Sequence, residues 1–181
     1  MDRDLTGLPT VPPAEYVGAI AQHVSSVCVI TTACQGRRYG LTATAVASVT
    51  ADPPRLLVCV NKSGLTHEKI LAAGAFCVNV LAEEQAGIAM VFAGMGGREA
   101  DRFAQGEWTV MATGAPALLG ASAVFDCRLA ETGQQSTHTI LFGDVVAATH
   151  RKGADTLLYG ARRFRQLRKV FNAQGEPVDY L

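Results

Sequence analysis

The sequence has 181 residues, 49 % hydrophobic and 18 % charged, with 16 Lys+Arg against 16 Asp+Glu. That length supports one domain with a sizeable core. A formal net charge of zero excludes the basic footprint of a nucleic-acid binder or of a protein drawn to anionic membranes. The longest apolar runs, such as Leu56 to Val60, are far too short to span a bilayer. Met1-Asp2-Arg3-Asp4 carries no apolar signal-peptide core. A cytoplasmic location is the expectation, with no nucleic-acid or membrane partner, and the apolar composition agrees with a homodimer.

Residues 1–13 contain Pro9, Pro12 and Pro13 and are expected to be an arm. Ala14 to His23 carries Val17, Ile20 and Ala21 at helical spacing. Val27 to Thr32 is a β-branched run and predicts a strand; Gln35-Gly36-Arg37 is a turn; Tyr39 to Thr50 predicts a second strand that closes a hairpin with the first. Asp52-Pro53-Pro54 stops it, and Arg55 to Val60 predicts a buried third strand. After the loop Asn61-Lys62-Ser63-Gly64 comes a short helix, Thr66 to Ala73, with Ser63 or Thr66 as candidate caps. Ala75 to Leu81 predicts a strand and Glu83 to Phe92 a helix, followed by a loop at Gly94 to Gly97. Trp108 to Ala112, Ala123 to Ala130 and Thr139 to Thr149 are further strands, the last two joined by a turn at Gly133 to Ser136. Leu157 to Arg168 ends the domain, and the final residues read as an exposed tail. Many short strands with few helices predict a mainly β barrel or sandwich. No G-x-G-x-x-G follows a strand, so no Rossmann site is expected.

The five cysteines (Cys28, Cys34, Cys59, Cys77, Cys127) are odd in number and lack C-x-x-C spacing, which predicts free thiols in β runs. The four histidines are scattered, so no metal site is expected.

Three stretches could carry chemistry. Gly40 to Thr50 is small and hydroxyl-rich, which leaves space for a flat ligand against the backbone. The same residues also suit ordinary tight sheet packing. Cys59 to His67 runs from a strand into a helix start, where Ser63, Thr66 and free N–H groups suit an anion, or simply a normal cap. His138 stands at a strand start, where a histidine is either a rim residue or merely exposed.

In this order the segments resemble a known family. Thr42-Ala43-Thr44-Ala45-Val46-Ala47-Ser48-Val49-Thr50-Ala51-Asp52-Pro53-Pro54 resembles its T-A-x-[AS]-x-x-S-V-x-x-D-P-P signature, and Leu56 to Ser63 its next block. Phe76-Cys77-Val78-Asn79-Val80-Leu81, followed by Gln85, resembles F-x-V-N-V-L. His138-Thr139-Ile140-Leu141-Phe142-Gly143-Asp144-Val145 resembles H-T-x-x-x-G-x-V, and Leu157-Leu158-Tyr159 with Arg163-Phe164-Arg165 the closing block. Residues 14–168 are thereby similar to the flavin reductase-like domain, including the reductase components of two-component aromatic hydroxylases.

The resemblance implies a Greek-key split β-barrel that binds FMN or FAD and takes hydride from NADH or NADPH, supplying reduced flavin to a partner monooxygenase. It implies that Thr42, Ala43, Thr44 and Ser48 line the ring and ribityl chain, and that Cys59, Val60 and Asn61 meet the ring edge. Ser63, Thr66 and Gln85 would face the flavin phosphate, and His138, Tyr159 and Arg163 the nicotinamide. Thr44 stands where relatives often have asparagine, Thr137 where they often have aspartate, and Phe164 where tyrosine is usual. No acid or base is needed, because the cofactors carry the hydride chemistry and the protein positions them. The alternatives are a flavin-binding barrel without turnover and a pyridoxamine-phosphate-oxidase-like enzyme, for which Arg162, Arg163 and Arg165 could meet a substrate phosphate.

Overall fold

Runs of β-branched residues broken by glycine and proline dictate strands, and the computed structural model, which describes residues 6–95, 97 and 101–167, has twelve of them with three short α-helices. Helix α1 (Pro13–Ile20) leads into β1 (Ser25–Ser26) and the hairpin of β2 (Cys28–Cys34) and β3 (Arg37–Ala43), turned by Gln35 and Gly36, both at positive φ. Then come β4 (Val46–Ala51), β5 (Pro54–Asn61), α2 (Leu65–Ala73), β6 (Ala75–Val80) and α3 (Ala86–Phe92). The small β7 (Trp108–Val110) and β8 (Pro116–Leu118) precede the long β9 (Ala123–Gln134) and β10 (His138–His150). The hairpin of β11 (Leu158–Gly160) and β12 (Arg163–Arg165) closes the described fold.

Seven strands form one antiparallel sheet in the order β3-β2-β6-β9-β10-β5-β4. Its two edge strands, β3 and β4, are consecutive in the chain and joined by Thr44 and Ala45 alone. A flat sheet cannot satisfy that link, so the sheet curls until its margins approach, although no ladder joins them among the described residues. All seven strands then share one interior: Ile30, Val58, Phe76, Val78, Cys127 and Leu141 pack with Ile70 of α2, and Leu41 and Val46 join from the edges. Alternate residues of β2, β6 and β9, namely Val29, Cys77 and Val124, face the other way and join a cluster with Ala89, Phe92 and Leu118. Period-two alternation thus feeds two apolar clusters. In the outer one, Phe103 meets Phe92 and Trp108 edge-on at 5.0 Å, and Phe92 and Trp108 lie tilted at 5.5 Å.

The structure corrects several expectations. The strand read over Tyr39 to Thr50 is two strands, because β2 begins at Cys28, opposite Ala43, and leaves Thr44 no ladder partner. Helix α1 ends at Ile20 rather than His23. The helix read from Glu83 begins as a 3-10 turn, and only Ala86–Phe92 is α-helical. Neither Ser63 nor Thr66 caps α2: the N-cap is Gly64, without a side-chain bond. The Ser63 hydroxyl is turned back to Asn61 Oδ1 at 2.8 Å, a local bond that competes with capping, and Thr66 donates to the Gly40 carbonyl at 3.2 Å. Strand β9 runs through Gly133, which moves the turn to residues 135–137, and β1 and β8 carried no strand signal. The loop at Gly94 to Gly97 lies partly, and the tail from 169 wholly, outside the described residues.

Candidate active site

Where the chain leaves β3 for β4, two adjoining clefts open. The larger, of about 500 Å³, is lined by Thr44, Ala45, Val46 and Ala47 from the break, Leu57 and Cys59 from β5, and Ile20, Ala21, His23 and Ser25 from the N-terminal segment, with Tyr159 and Arg162 closing one side. The smaller, of about 290 Å³, lies between Thr42, Thr44 and helix α3, with Met90 and Met95 on its wall and Tyr159, Arg162, Arg163 and Phe164 at its mouth. Thr44, Tyr159 and Arg162 belong to both. These volumes suit a small organic ligand.

Local sequence explains the shape. Thr44, Ala45 and Ala47 have little bulk, so the backbone itself forms a wall. Cys59 N–H donates to the Ala45 carbonyl at 3.0 Å, which pins the break to β5. Opposite, Tyr159 and Phe164 face each other across β11 and β12, with ring centroids 5.7 Å apart at 70°. Ala161 and Arg162 turn that hairpin with φ of 50° and 59°, the left-handed region that non-glycine residues seldom enter.

The predicted residues divide. Thr42, Thr44, Cys59, Tyr159 and Arg163 line the paired clefts. The Thr42 hydroxyl is already spent on the Ala89 carbonyl at 2.7 Å. Asn61 and His138 are cross-strand partners one rung beyond the Cys59–Ile140 pair's neighbour, at the exposed end of β5 and β10. His138 Nδ1 lies 2.8 Å from the Thr137 hydroxyl. Ser63 joins this rim through Asn61. Five others stand apart from the clefts. Ala43 packs toward the interior cluster, Val60 is buried in it, and Ser48 is exposed on β4 opposite Leu56. Thr66 is buried against β3, where it lines a separate recess with Arg38 and Arg102. Gln85 spends its amide oxygen on the Ala82 N–H at 2.9 Å. His23, Ser25 and the two methionines line the clefts without having signalled themselves, since no motif contains them.

No flavin or nicotinamide contact is needed to judge the fit. The donor set decides it: small residues and an apolar wall for a flat ring, and the Arg162 and Arg163 guanidiniums, which have no ion pair among the described residues, for phosphate. Among the described residues no carboxylate lines either cleft. A flavin nucleotide fits such a set.

Residues 20–168 match the flavin reductase like domain. The chain belongs to this family. It is 42 % identical over 156 residues to the FMN reductase (NADH) RutF of Ancylobacter novellus, covering 86 % of each chain. Among solved structures it is similar to the NADH:FAD oxidoreductase SgcE6 of Streptomyces globisporus in complex with NAD and FAD fragments, with a TM-score of 0.80 and 29 % identity over 89 % of this chain and 98 % of that one. It is also similar to the styrene monooxygenase flavin reductase SMOB of Pseudomonas putida S12, with a TM-score of 0.76 and 28 % identity over 85 % and 97 %. As a member of the flavin reductase family the chain is mainly β, and among its described residues no helix is long and apolar enough to cross a membrane.

Proposed function

We propose that this protein is an NADH-dependent flavin reductase that passes hydride to FMN or FAD and supplies reduced flavin to a partner oxygenase. The observation that carries the reading is the paired cleft at the β3–β4 break: flat and apolar along Thr44 to Ala47, cationic at Arg162 and Arg163, and held by a chain about two-fifths identical to FMN reductases (NADH).

Bound flavin supplies the hydride acceptor, with its redox chemistry intrinsic to the ring. The residues of this chain position it. Thr44, Ala45 and Cys59 would give the ring a backbone-lined wall, and Asn61 and Ser63 at the end of β5 would hold its edge. Tyr159 and Phe164 offer an aromatic face for the nicotinamide, and Arg163 a cation for its phosphates; His138 stands on the rim beside Asn61. The apolar walls, with Met90 and Met95, would exclude water from a bound ring. No side chain has to take or give a proton in hydride transfer, so positioning is the whole of the protein's contribution.

The curled seven-stranded sheet supports a split β-barrel for residues 14–168, with an arm before and a tail after it. Helix α1 buries none of its residues, and Tyr16, Val17 and Ile20 are each about half exposed. That apolar surface supports a homodimer, and a cytoplasmic setting fits reduced nicotinamide as co-substrate.

The test is anaerobic titration of the purified protein, with FMN and then FAD present, by NADH and by NADPH. Bleaching of the flavin, faster with NADH, is expected. A protein that leaves both dinucleotides unoxidised with either flavin overturns the proposal.

A further inference from the structure

We propose that Arg162, together with His23 held on Ser25, forms a phosphate-binding end of the larger cleft, which takes the phosphoryl group of a bound nucleotide. The reductase reading supplies the nucleotides worth trying; the site itself stands on geometry.

Arg162 sits in the left-handed region at φ 59°, directly after Ala161 at φ 50°. Residues other than glycine avoid this region because Cβ crowds the following carbonyl oxygen, and strained backbone of this kind is kept where its surroundings hold it. Here the Ala161 N–H donates to the Ala21 carbonyl at 2.6 Å, which fastens the turn to the end of α1. The result is a guanidinium that borders both clefts and has no hydrogen bond or ion pair among the described residues.

The same cleft holds a second polar group. His23 Nδ1 lies 3.0 Å from the Ser25 hydroxyl, and Ser25 pairs with Tyr159 in the β1–β11 ladder. Whichever group donates in that bond, Nε2 has no partner among the described residues, and in the tautomer where the serine donates it carries the ring hydrogen. The other polar side chains lining the cleft are Ser25, Thr44, Tyr159, Arg162 and the Cys59 thiol, with no carboxylate among the described residues to neutralise the guanidinium. A forked cation and an imidazole with Nε2 uncommitted, in a cleft with no acid among its described residues, suit an oxyanion, and a phosphoryl group matches both. Its source is either the 5′-phosphate of FMN or the pyrophosphate of the nicotinamide dinucleotide.

Fluorescence titration with FMN and riboflavin, and calorimetry with ADP-ribose, compare the wild type with Arg162→Gly, Arg162→Lys and His23→Ala. Glycine suits the left-handed turn better than arginine, so Arg162→Gly removes the cation while preserving the hairpin. That variant is expected to bind the phosphate-bearing ligand about 10- to 100-fold more weakly, with riboflavin unchanged. His23→Ala should lose less, and Arg162→Lys should retain part of the affinity. A loss confined to FMN assigns the site to the flavin phosphate; a loss confined to ADP-ribose assigns it to the dinucleotide. Equal weakening of FMN and riboflavin, unchanged affinity for both FMN and ADP-ribose, or a wild type that binds neither overturns the inference. A wild type that binds them through Arg162 yet oxidises no NADH overturns the reductase function and leaves this site standing.

Discussion

Asn79 Oδ1 accepts the backbone N–H of Leu118 at 2.7 Å, in a position where neither residue reaches solvent. The Asn79 amide nitrogen donates to the Val29 carbonyl at 3.0 Å and the Thr31 hydroxyl at 3.1 Å. One side chain therefore ties β8 to β6 and β2, and every polar atom it offers is used. Asn79→Leu removes the amide and strands the buried Leu118 N–H. Such an orphan costs about 1–3 kcal/mol, and a loss of that size is expected from urea unfolding, with little change in flavin affinity.

Gly143 is required by its neighbours rather than by its backbone. A Cβ there would lie 2.6 Å from Phe76 Cζ and 2.8 Å from Cys127 Cβ. Gly143→Ala should destabilise the fold by about 1–3 kcal/mol through overpacking. Adding Phe76→Leu should recover part of that loss, because it withdraws the atom that is closest. Denaturant midpoints of the single and double variants check this.

Asp144 accepts from Arg128 at 2.9 Å and from Arg55 at 2.8 Å, and Arg55 also reaches Glu131. The Arg128 guanidinium, then that of Arg55, holds the Asp144 carboxyl below its ordinary range. A lowered carboxyl stabilises the fold above the unfolded-state value, ~3.9, and that contribution is lost as pH falls through the folded value. The wild type should therefore exceed Asp144→Asn in stability at neutral pH, with the gap closing below about pH 4. Unfolding midpoints across that window, read for both proteins, decide it; a gap independent of pH would count against the ion pairs.

Thiol chemistry should separate the cysteines. Burial pushes the Cys28 and Cys127 thiols up to about 12, and that of Cys77 upward as well, so these three stay protonated and inert at neutral pH. Cys34 and Cys59 are half-buried and free, and Cys59 lines the larger cleft. A thiol-specific reagent on the native protein should modify Cys34 and Cys59 only. FMN should protect Cys59 and not Cys34, as peptide mapping after labelling would show.

The β2–β3 hairpin, β5, α2 and β6 were legible because β-branched runs and turn residues bound them tightly. The break at Thr44 was not: residues 41–50 have the same small, β-branched character on both sides, and the interruption is imposed by where β2 starts. Similarly, Thr44, Cys59, Tyr159 and Arg163 carried motif signals, whereas His23 and Ser25 reach the cleft only through the Ser25–Tyr159 pairing, a contact across most of the chain. Thr66 looked like a cap because of its place before a helix, yet its hydroxyl is committed to β3. Chain-local patterns reveal elements; they do not reveal which distant strand a side chain meets.

Two residues, Thr44 and Ala45, carry the chain from one margin of the seven-stranded sheet to the other. They act as the clasp of a hoop: the girth of the interior and the width of the larger cleft are set by the same short span. A ligand seated against Thr44 to Ala47 therefore presses on the element that governs curvature. Loosening the clasp by even one or two inserted residues would slacken both at once, so cleft and interior can change size only together.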